Sequence, residues 1–111
     1  SARDYIAALA QRRQDQAGYL ESLRGFAALL TPTVATPAVA LDEVDQSSTP
    51  AHFTRAGNYL GLCGLSVPMG LTSANLPGGL QILARGFDES MAVRIGAAYE
   101  ARRGAFPHPI P

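Results

Sequence analysis

The sequence has 111 residues, of which 47% are hydrophobic and 16% are charged, and its formal net charge at pH 7 is zero. This length allows one domain with a modest core and excludes two. The arginines run from Arg3 to Arg103 without forming a basic face, so we expect no nucleic-acid partner. No stretch approaches the roughly 18 apolar residues that a membrane helix needs, so we expect no membrane partner either.

Cysteine and lysine usage limits the chemistry of the chain. Cys63 is the single cysteine, so no internal disulfide can form, and the predicted compartment is the cytosol. The sequence contains no Cys/His cluster, and we expect no metal and no cofactor. All nine basic side chains are arginines. A mechanism that needs a side-chain amine as general base or Schiff base is therefore excluded.

The first quarter of the sequence has the pattern of a helix. Ser1 is a suitable N-cap, and residues with helical periodicity follow as far as Gly25, which is the predicted end of the helix. Gly18 has a low helix propensity inside this segment. The short apolar run 27–30 predicts a buried strand. An extended loop over residues 31–46 follows, because its two prolines restrict the backbone and remove donors.

The clearest helix start follows this loop. Hydroxyl side chains occupy positions 47–49, directly before Pro50, so a hydroxyl falls at the N-cap and proline at the first helical position. The pattern predicts a helix over residues 51–60, ended by Gly61.

Two strands and a helix complete the predicted elements. The strands cover residues 64–68, closed by Pro68, and residues 80–85, and the turn residues between them favour pairing. Asp88 is the predicted cap of a last helix. One face of that helix comprises Met91, Ile95, Ala98 and Tyr99.

The element order predicts an α/β domain over residues 1–103, followed by an extended, proline-rich tail over residues 104–111. The strands have the composition of strands buried on both faces, which calls for more than three helices. We therefore expect the fold to be incomplete in this chain.

Three segments, LLTPTVATPA, FTRAGNYLGLCGLSVPMG and NLPGGLQILARGFDESMAVRIGAAYE, together resemble the C-terminal part of the amidase signature family. Members of this family of serine amidases include bacterial amidases, fatty acid amide hydrolase and the A subunit of glutamyl-tRNA amidotransferase. The resemblance covers about residues 1–101. Its most specific part is the spaced series Asn58, Gly61, Leu62, Ser66, Val67, Pro68, Gly70, Gly79, Leu80, Gln81, Phe87, Asp88, Glu89, Tyr99 and Glu100.

The resemblance implies a mixed sheet flanked by helices and a catalytic Ser, cis-Ser, Lys triad that lies N-terminal to the matched region. With no lysine and no Gly/Ser-rich segment, this chain lacks the triad. We expect a fragment of an enzyme that hydrolyses carbon–nitrogen amide bonds, inactive alone, that supplies sheet, helices and part of the substrate-pocket wall. Its expected partners are the missing N-terminal catalytic part or a partner chain, and a small-molecule amide as substrate of the complete enzyme. Homo-oligomerisation is left open.

Two other functions are considered. The chain could be a non-catalytic binding or structural module from a truncated gene or a subunit, which should have a polar surface, whereas a fragment should expose large apolar patches. The A subunit of the tRNA amidotransferase is less favoured. That subunit has an acidic residue on the helix ahead of the conserved asparagine, where this chain has Ala51 and His52.

The candidate substrate-binding residues are Thr31, Thr33, Phe53, Thr54, Arg55 and Asn58. The two threonines follow a strand end, where α/β sheets place ligand crevices, although a rigid exit turn explains them equally well. Residues 53–55 are interpreted as lining the same pocket, where they provide an apolar wall and a polar contact. For Arg55, a position on the solvated surface is the favoured interpretation. Asn58 is alternatively interpreted as a hydrogen-bonding tie to the backbone.

Other chemically conspicuous residues are interpreted structurally, and no catalytic residue is predicted. Ser66 lies inside a strand without the strained turn that exposes a nucleophile. Cys63 has no basic neighbour in sequence and is expected to fill the core. His52 is expected on the surface and His108 in the tail. The carboxylates at 88–89 are explained by a helix N-terminus, which stabilises negative charge by about 0.3–1 kcal/mol.

Overall fold

A computed structural model describes residues 1–45, 47 and 50–106. The elements in chain order are α1 (Ala2–Ser22), β1 (Ala28–Pro32), a short 3-10 helix (Leu41–Glu43), α2 (Thr54–Leu60), β2 (Cys63–Leu71), β3 (Pro77–Ala84) and α3 (Glu89–Arg103). This is the order of helices and strands predicted from the sequence, with the 3-10 helix inside the predicted loop. The predicted capping residues Ser48 and Thr49, and His108 in the predicted tail, lie outside the described residues.

The sheet is built around β3, which pairs antiparallel with β1 on one side and with β2 on the other. The predicted pairing of the last two strands is confirmed. Ile82 and Leu83 on β3 are almost fully buried, whereas Leu29 and Leu30 on β1 are 40% and 53% exposed. The prediction that the strands are buried on both faces is therefore correct for the end of β3 and wrong for the edge strand β1, because α3 packs against β2 and β3 rather than against β1.

A β-bulge lets β2 continue past the proline that was predicted to close it. Pro68 pairs with Gly79 and Gly70 pairs with Gly78, so Met69 is the extra residue. Proline is tolerated here because β2 is also an edge strand. The carbonyls at the bulge are bonded from α3: Arg103 Nη1 donates to the Pro68 oxygen at 3.1 Å, and the Tyr99 hydroxyl donates to the Met69 oxygen at 3.2 Å.

Helix α3 covers one face of the sheet. It begins as predicted at the Asp88 cap, whose side chain accepts a hydrogen bond from the Met91 amide at 3.3 Å. Its buried residues are Ala92 and Gly96, which bring the helix close to the core residues of β2 and β3. Ala98 was predicted on this face but is exposed, because two residues along a helix correspond to a rotation of about 200° away from Gly96.

Helix α2 begins later than predicted. Residues 51–53 form turns, the helix starts at Thr54, and the residue in the N-cap position, Phe53, provides no side-chain cap. The Phe53 carbonyl accepts a hydrogen bond from Gln81 of the sheet at 3.2 Å, so a tertiary contact holds the chain at the point where the helix starts. The predicted end at Gly61 is confirmed, with φ at 67° in the left-handed region that favours glycine.

Helix α1 begins with a capping box, in which Ser1 and Asp4 bond reciprocally, and it continues through Gly18. All of its side chains are at least partly exposed, so packing contributes little to its position. A polar clamp holds it to the end of α2 instead. Arg12 donates to the carbonyls of Asn58 and Tyr59, and the Tyr59 hydroxyl donates to Asp15 at 2.7 Å. We call these contacts the Arg12–Asp15 clamp.

Among the described residues, no helix combines the length and the apolar character that crossing a membrane requires.

The close approach of α3 to the sheet predicts that Gly96→Val destabilises the fold. A Cβ at Gly96 would lie 2.8 Å from Leu65 Cδ2 and 3.3 Å from Val67 Cγ1. Such overpacking should lower the free energy of unfolding by about 1–3 kcal/mol in a urea titration. The control is Gly18→Ala, where a Cβ meets nothing within 4 Å, and which should raise the free energy of unfolding by about 0.5–1 kcal/mol. Changes of the same sign at both positions would contradict this packing.

The clamp predicts a pH dependence. The hydrogen bond from Tyr59 and, secondly, that from Gln11 hold the pKa of Asp15 below its ordinary value. Because the folded pKa is lowered, the contact stabilises above the unfolded pKa of about 3.9 and is lost as the pH falls through the folded pKa. We expect the urea concentration at the unfolding midpoint to fall less between pH 5 and pH 2 for Tyr59→Phe than for the parent chain. Tyr5→Phe, which changes an exposed tyrosine on α1, the helix of Asp15, should behave like the parent.

Candidate substrate-binding site

A row of polar side chains crosses the sheet on the face opposite α3. The register pairs Thr31 with Gln81 and Gln81 with Ser66, and directly paired residues share a face of the sheet. The alternate residues, such as Ile82, belong to the core under α3. Polar groups from all three strands therefore meet on a face whose opposite side is apolar.

Gln81 is the buried member of this row, with 5% of its surface exposed. Its Nε2 donates to the Thr31 hydroxyl at 3.0 Å and to the Phe53 carbonyl at 3.2 Å. It thereby ties β1 and the start of α2 to the central strand. Gln81 is absent from the site residues predicted from the sequence. A glutamine inside the apolar run LQILA was nevertheless a detectable signal, because a buried amide needs hydrogen-bond partners.

The hydroxyls of Thr33 and Ser66 lie 2.6 Å apart and share a hydrogen bond. They meet above Gly79, whose carbonyl accepts from the Thr33 amide at 2.8 Å. A Cβ at Gly79 would lie 2.7 Å from the Thr33 Oγ1 and 2.9 Å from the Ser66 Oγ, so the pair forms because this residue is glycine. Both hydroxyl residues line an open cavity of about 380 Å³ next to the β2–β3 hairpin.

The remaining predicted site residues lie on or beside α2. Thr54 is half-buried, and Arg55 and Asn58 are exposed. The Asn58 carbonyl belongs to the clamp, where it accepts from Arg12 Nη2 at 3.1 Å. The structure thus joins Thr31 to the Phe53 backbone through Gln81 and places Thr33 at the 380 Å³ cavity, while Arg55 and Asn58 are outside the lining of that cavity. Substrate binding by these residues stays a prediction.

A second cavity, of about 590 Å³, lies under the long loop. Its lining comprises residues 34–39 and 43–45 together with Pro50 and His52. His52 is exposed, as expected, and its ring makes a T-shaped contact with the Phe53 ring at 4.8 Å. In the part of the chain that the structure describes, no three His, Cys, Asp or Glu side chains are placed to share a metal ion.

The local electrostatics disfavour a nucleophilic thiol. Cys63 packs against the core, and burial, followed by the carboxylates of Glu89 and Asp88, raises the pKa of its thiol. A reactive cysteine needs the opposite shift, since the thiolate is the nucleophile. Cys63 therefore has the environment of a packing residue.

Comparison with known proteins gives the family of this sheet-and-helix unit. The amidase family profile matches residues 1–93. The chain belongs to the amidase family, and the resemblance noted in the sequence is confirmed.

The curated relatives include two proteins named as the A subunit of glutamyl-tRNA(Gln) amidotransferase. The one from Myxococcus xanthus is 38% identical over 96% of this chain and 23% of its own length. The one from Acidobacterium capsulatum is 38% identical over 75% of this chain and 18% of its own length. The chain thus spans less than a quarter of the length of these relatives.

Solved structures show the same partial match. The crystal structure of the A subunit of glutamyl-tRNA(Gln) amidotransferase from Thermotoga maritima superposes with a TM-score of 0.78 at 32% identity, covering 96% of this chain and 26% of that one. A crystal structure of an amidase gives a TM-score of 0.76 at 29% identity, covering 92% and 25%. The expected fold class, an incomplete portion of the amidase fold in which helices flank a sheet, is confirmed.

The position of Gln81 predicts a stability loss for Gln81→Met. The substitution keeps the side-chain size but removes both hydrogen bonds, and it leaves the Phe53 carbonyl without this partner. We expect the free energy of unfolding to fall by about 1–3 kcal/mol in a urea titration. Gln14→Met on the exposed surface of α1 is the matched control and should change the free energy by less than about 0.5 kcal/mol. Equal effects of the two substitutions would show that the Gln81 contacts do not stabilise the fold.

Proposed function

We propose that this chain is part of an enzyme that hydrolyses a carbon–nitrogen amide bond, and that it is inactive without the remainder of that enzyme. The observation that carries the proposal is the combination of membership in the amidase family with a sequence that has no lysine. The role of the chain is to supply sheet, helices and part of the substrate-pocket wall.

The described side chains support a non-catalytic role for the chain alone. Serine hydrolysis of an amide needs an activated hydroxyl, a base that takes its proton, and donors for the oxyanion. The hydroxyl of Ser66 is hydrogen-bonded to that of Thr33, which is not a general base at neutral pH. The pKa of the Cys63 thiol is raised by burial and by the carboxylates of Glu89 and Asp88, which is the opposite of the shift that activates a thiol. Neither group has the environment of an activated nucleophile.

The surface supports a fragment rather than a self-standing module. The radius of gyration is 17.0 Å, compared with about 13 Å for a compact domain of this length. Large apolar side chains are exposed along the chain: Tyr5, Ile6, Leu20, Phe26, Leu29, Leu30, Val34, Val39, Leu41, Val44, Tyr59, Met69, Leu71, Phe87 and Val93. Adjacent exposed apolar residues, such as Leu29 and Leu30 on β1, mark surface that a partner can cover. The proposed partner is the missing catalytic part of the same enzyme.

The pocket wall that we assign to the chain consists of Thr31, Thr33, Phe53, Thr54, Arg55 and Asn58. Support is strongest for Thr33, which lines the 380 Å³ cavity, and for Thr31, which Gln81 holds in place. A small-molecule amide is the proposed substrate of the complete enzyme. The cytosol stays the proposed compartment, on the basis of the single cysteine.

A second candidate is the A subunit of a glutamyl-tRNA(Gln) amidotransferase. The relatives that bear this name favour it. Ala51 and His52 argue against it, because they occupy the place where the family resemblance puts an acidic residue in that protein. Hydrolysis of glutamine by the complete protein, together with a second protein chain that copurifies with it, would favour this candidate over a simple amidase.

The first test is the intact mass of the protein in the cell that makes it, detected with an antibody to this chain. We expect a species several times heavier than 11.7 kDa. A species of the size of this chain would instead favour a non-catalytic module.

The second test measures amide hydrolysis by the isolated chain, which we expect to equal the rate in buffer. The chain with Ser66→Ala serves as the control. Turnover above buffer that disappears in this variant would overturn the proposal that the chain is inactive alone.

A further inference from the structure

We propose that the 380 Å³ cavity beside Thr33 and Ser66 is a subsite for the uncharged end of an amide substrate, and that Ser66 is a specificity-determining residue in it. This inference rests on the proposed amide-hydrolysing function and deepens it by naming a substrate class. It also gives Ser66 a binding role, where the sequence alone predicted a structural one.

The shape of the cavity suits a small ligand. Its volume lies within the range of about 300–1,000 Å³ that small-molecule pockets occupy. Pro68, Pro77 and Phe106 supply apolar walls, and two of these are rigid rings of the backbone itself. Gly79 allows the two hydroxyls to meet at the cavity, because a side chain there would collide with both.

The hydroxyl pair offers one hydrogen-bond donor to a ligand. Each hydroxyl has one donor and two acceptor positions. The Thr33–Ser66 bond uses one of the two O–H groups, and the other O–H remains available. Ser66 is exposed, and both hydroxyl residues belong to the cavity lining. An amide carbonyl oxygen is an acceptor that fits this donor.

The uncharged lining favours an uncharged ligand over an ionic one. Among the described residues that line the cavity, none is charged. The nearby Arg103 makes three contacts: its Nη1 donates to the Pro68 carbonyl, its Nη2 lies 3.8 Å from Glu100, and its guanidinium lies 5.0 Å from the Phe106 ring. Its Nε is buried and has no partner among the described residues. A carboxylate or ammonium would lose part of its hydration against the apolar walls and would gain no counter-ion from the lining.

The test is equilibrium binding of benzamide and of benzoate to the complete enzyme, by titration calorimetry. The two probes have the same shape and differ in charge. We expect benzamide to bind at least about tenfold more tightly than benzoate, since the charged probe loses hydration in the cavity. Ser66→Ala should raise the Kd of benzamide about fivefold, the effect of losing one hydrogen bond. The matched control, Ser73→Ala in the exposed β2–β3 turn, should leave the Kd within about twofold of the parent.

Two results would overturn the inference. The first is benzoate binding as tightly as benzamide, which would instead assign the cavity to an anion held by Arg103, whose Nε is buried and has no partner among the described residues. The second is an equal Kd of benzamide for Ser66→Ala and Ser73→Ala. If circular dichroism shows that Ser66→Ala does not fold, Thr33→Val replaces it under the same criterion.

Release of ammonia from benzamide and from other amides is measured in parallel, so that the two proposals fail separately. Binding through Ser66 in a protein that hydrolyses no amide would support the subsite and overturn the proposed function. Amide hydrolysis with unchanged benzamide binding in Ser66→Ala would overturn the subsite alone.

Discussion

The hydrogen bonding of β3 along both of its edges is the constraint on which the rest of the structure depends. β1 and β2 are far apart in sequence from each other, and each is held in place by its register with β3. That register sorts the side chains of all three strands into an apolar face under α3 and a second face beside α2, which carries the polar row together with the buried Leu83. A slip of one residue would exchange the two faces. The same strand register therefore places both the side chains of the core and those of the candidate site.

Small residues determine how closely other groups approach this central strand. Gly57 and Gly64 both lie near the Leu83 side chain, at distances where an added Cβ would be in close contact. Gly96 has the same role on the face of α3 that packs against the sheet. Gly79 likewise permits a close approach, in this case of two hydroxyls. The polar site and the apolar packing therefore rely on the same device, which is the absence of a side chain where two layers meet.

Local signals in the sequence were sufficient to predict the elements and several of their ends. Ser1, Asp88 and Gly61 act as predicted because capping and the left-handed conformation depend on neighbours within a few residues. The start of α2 was missed because Gln81, far away in sequence, bonds to the Phe53 carbonyl. The continuation of β2 past Pro68 was missed because a bulge is decided by the partner strand and by Tyr99 and Arg103. In the candidate site, Thr33 was selected from its position after a strand, whereas the role of Ser66 became visible only when Gly79 was known to lie beneath it.

The bulge at Met69 marks the position in β2 where the chain can lose one residue without a change of strand register. Pro68 and Gly70 pair with adjacent residues of β3, so the residue between them adds length to β2 without shifting the strand on either side. Loss of one residue at this position would leave every other pair of the ladder unchanged and would remove only the carbonyl that Tyr99 bonds. Loss of one residue between Cys63 and Val67 would turn the side chains of the preceding part of β2 to the opposite face of the sheet. Insertions and deletions among relatives should therefore be tolerated at the bulge and rare in the rest of β2.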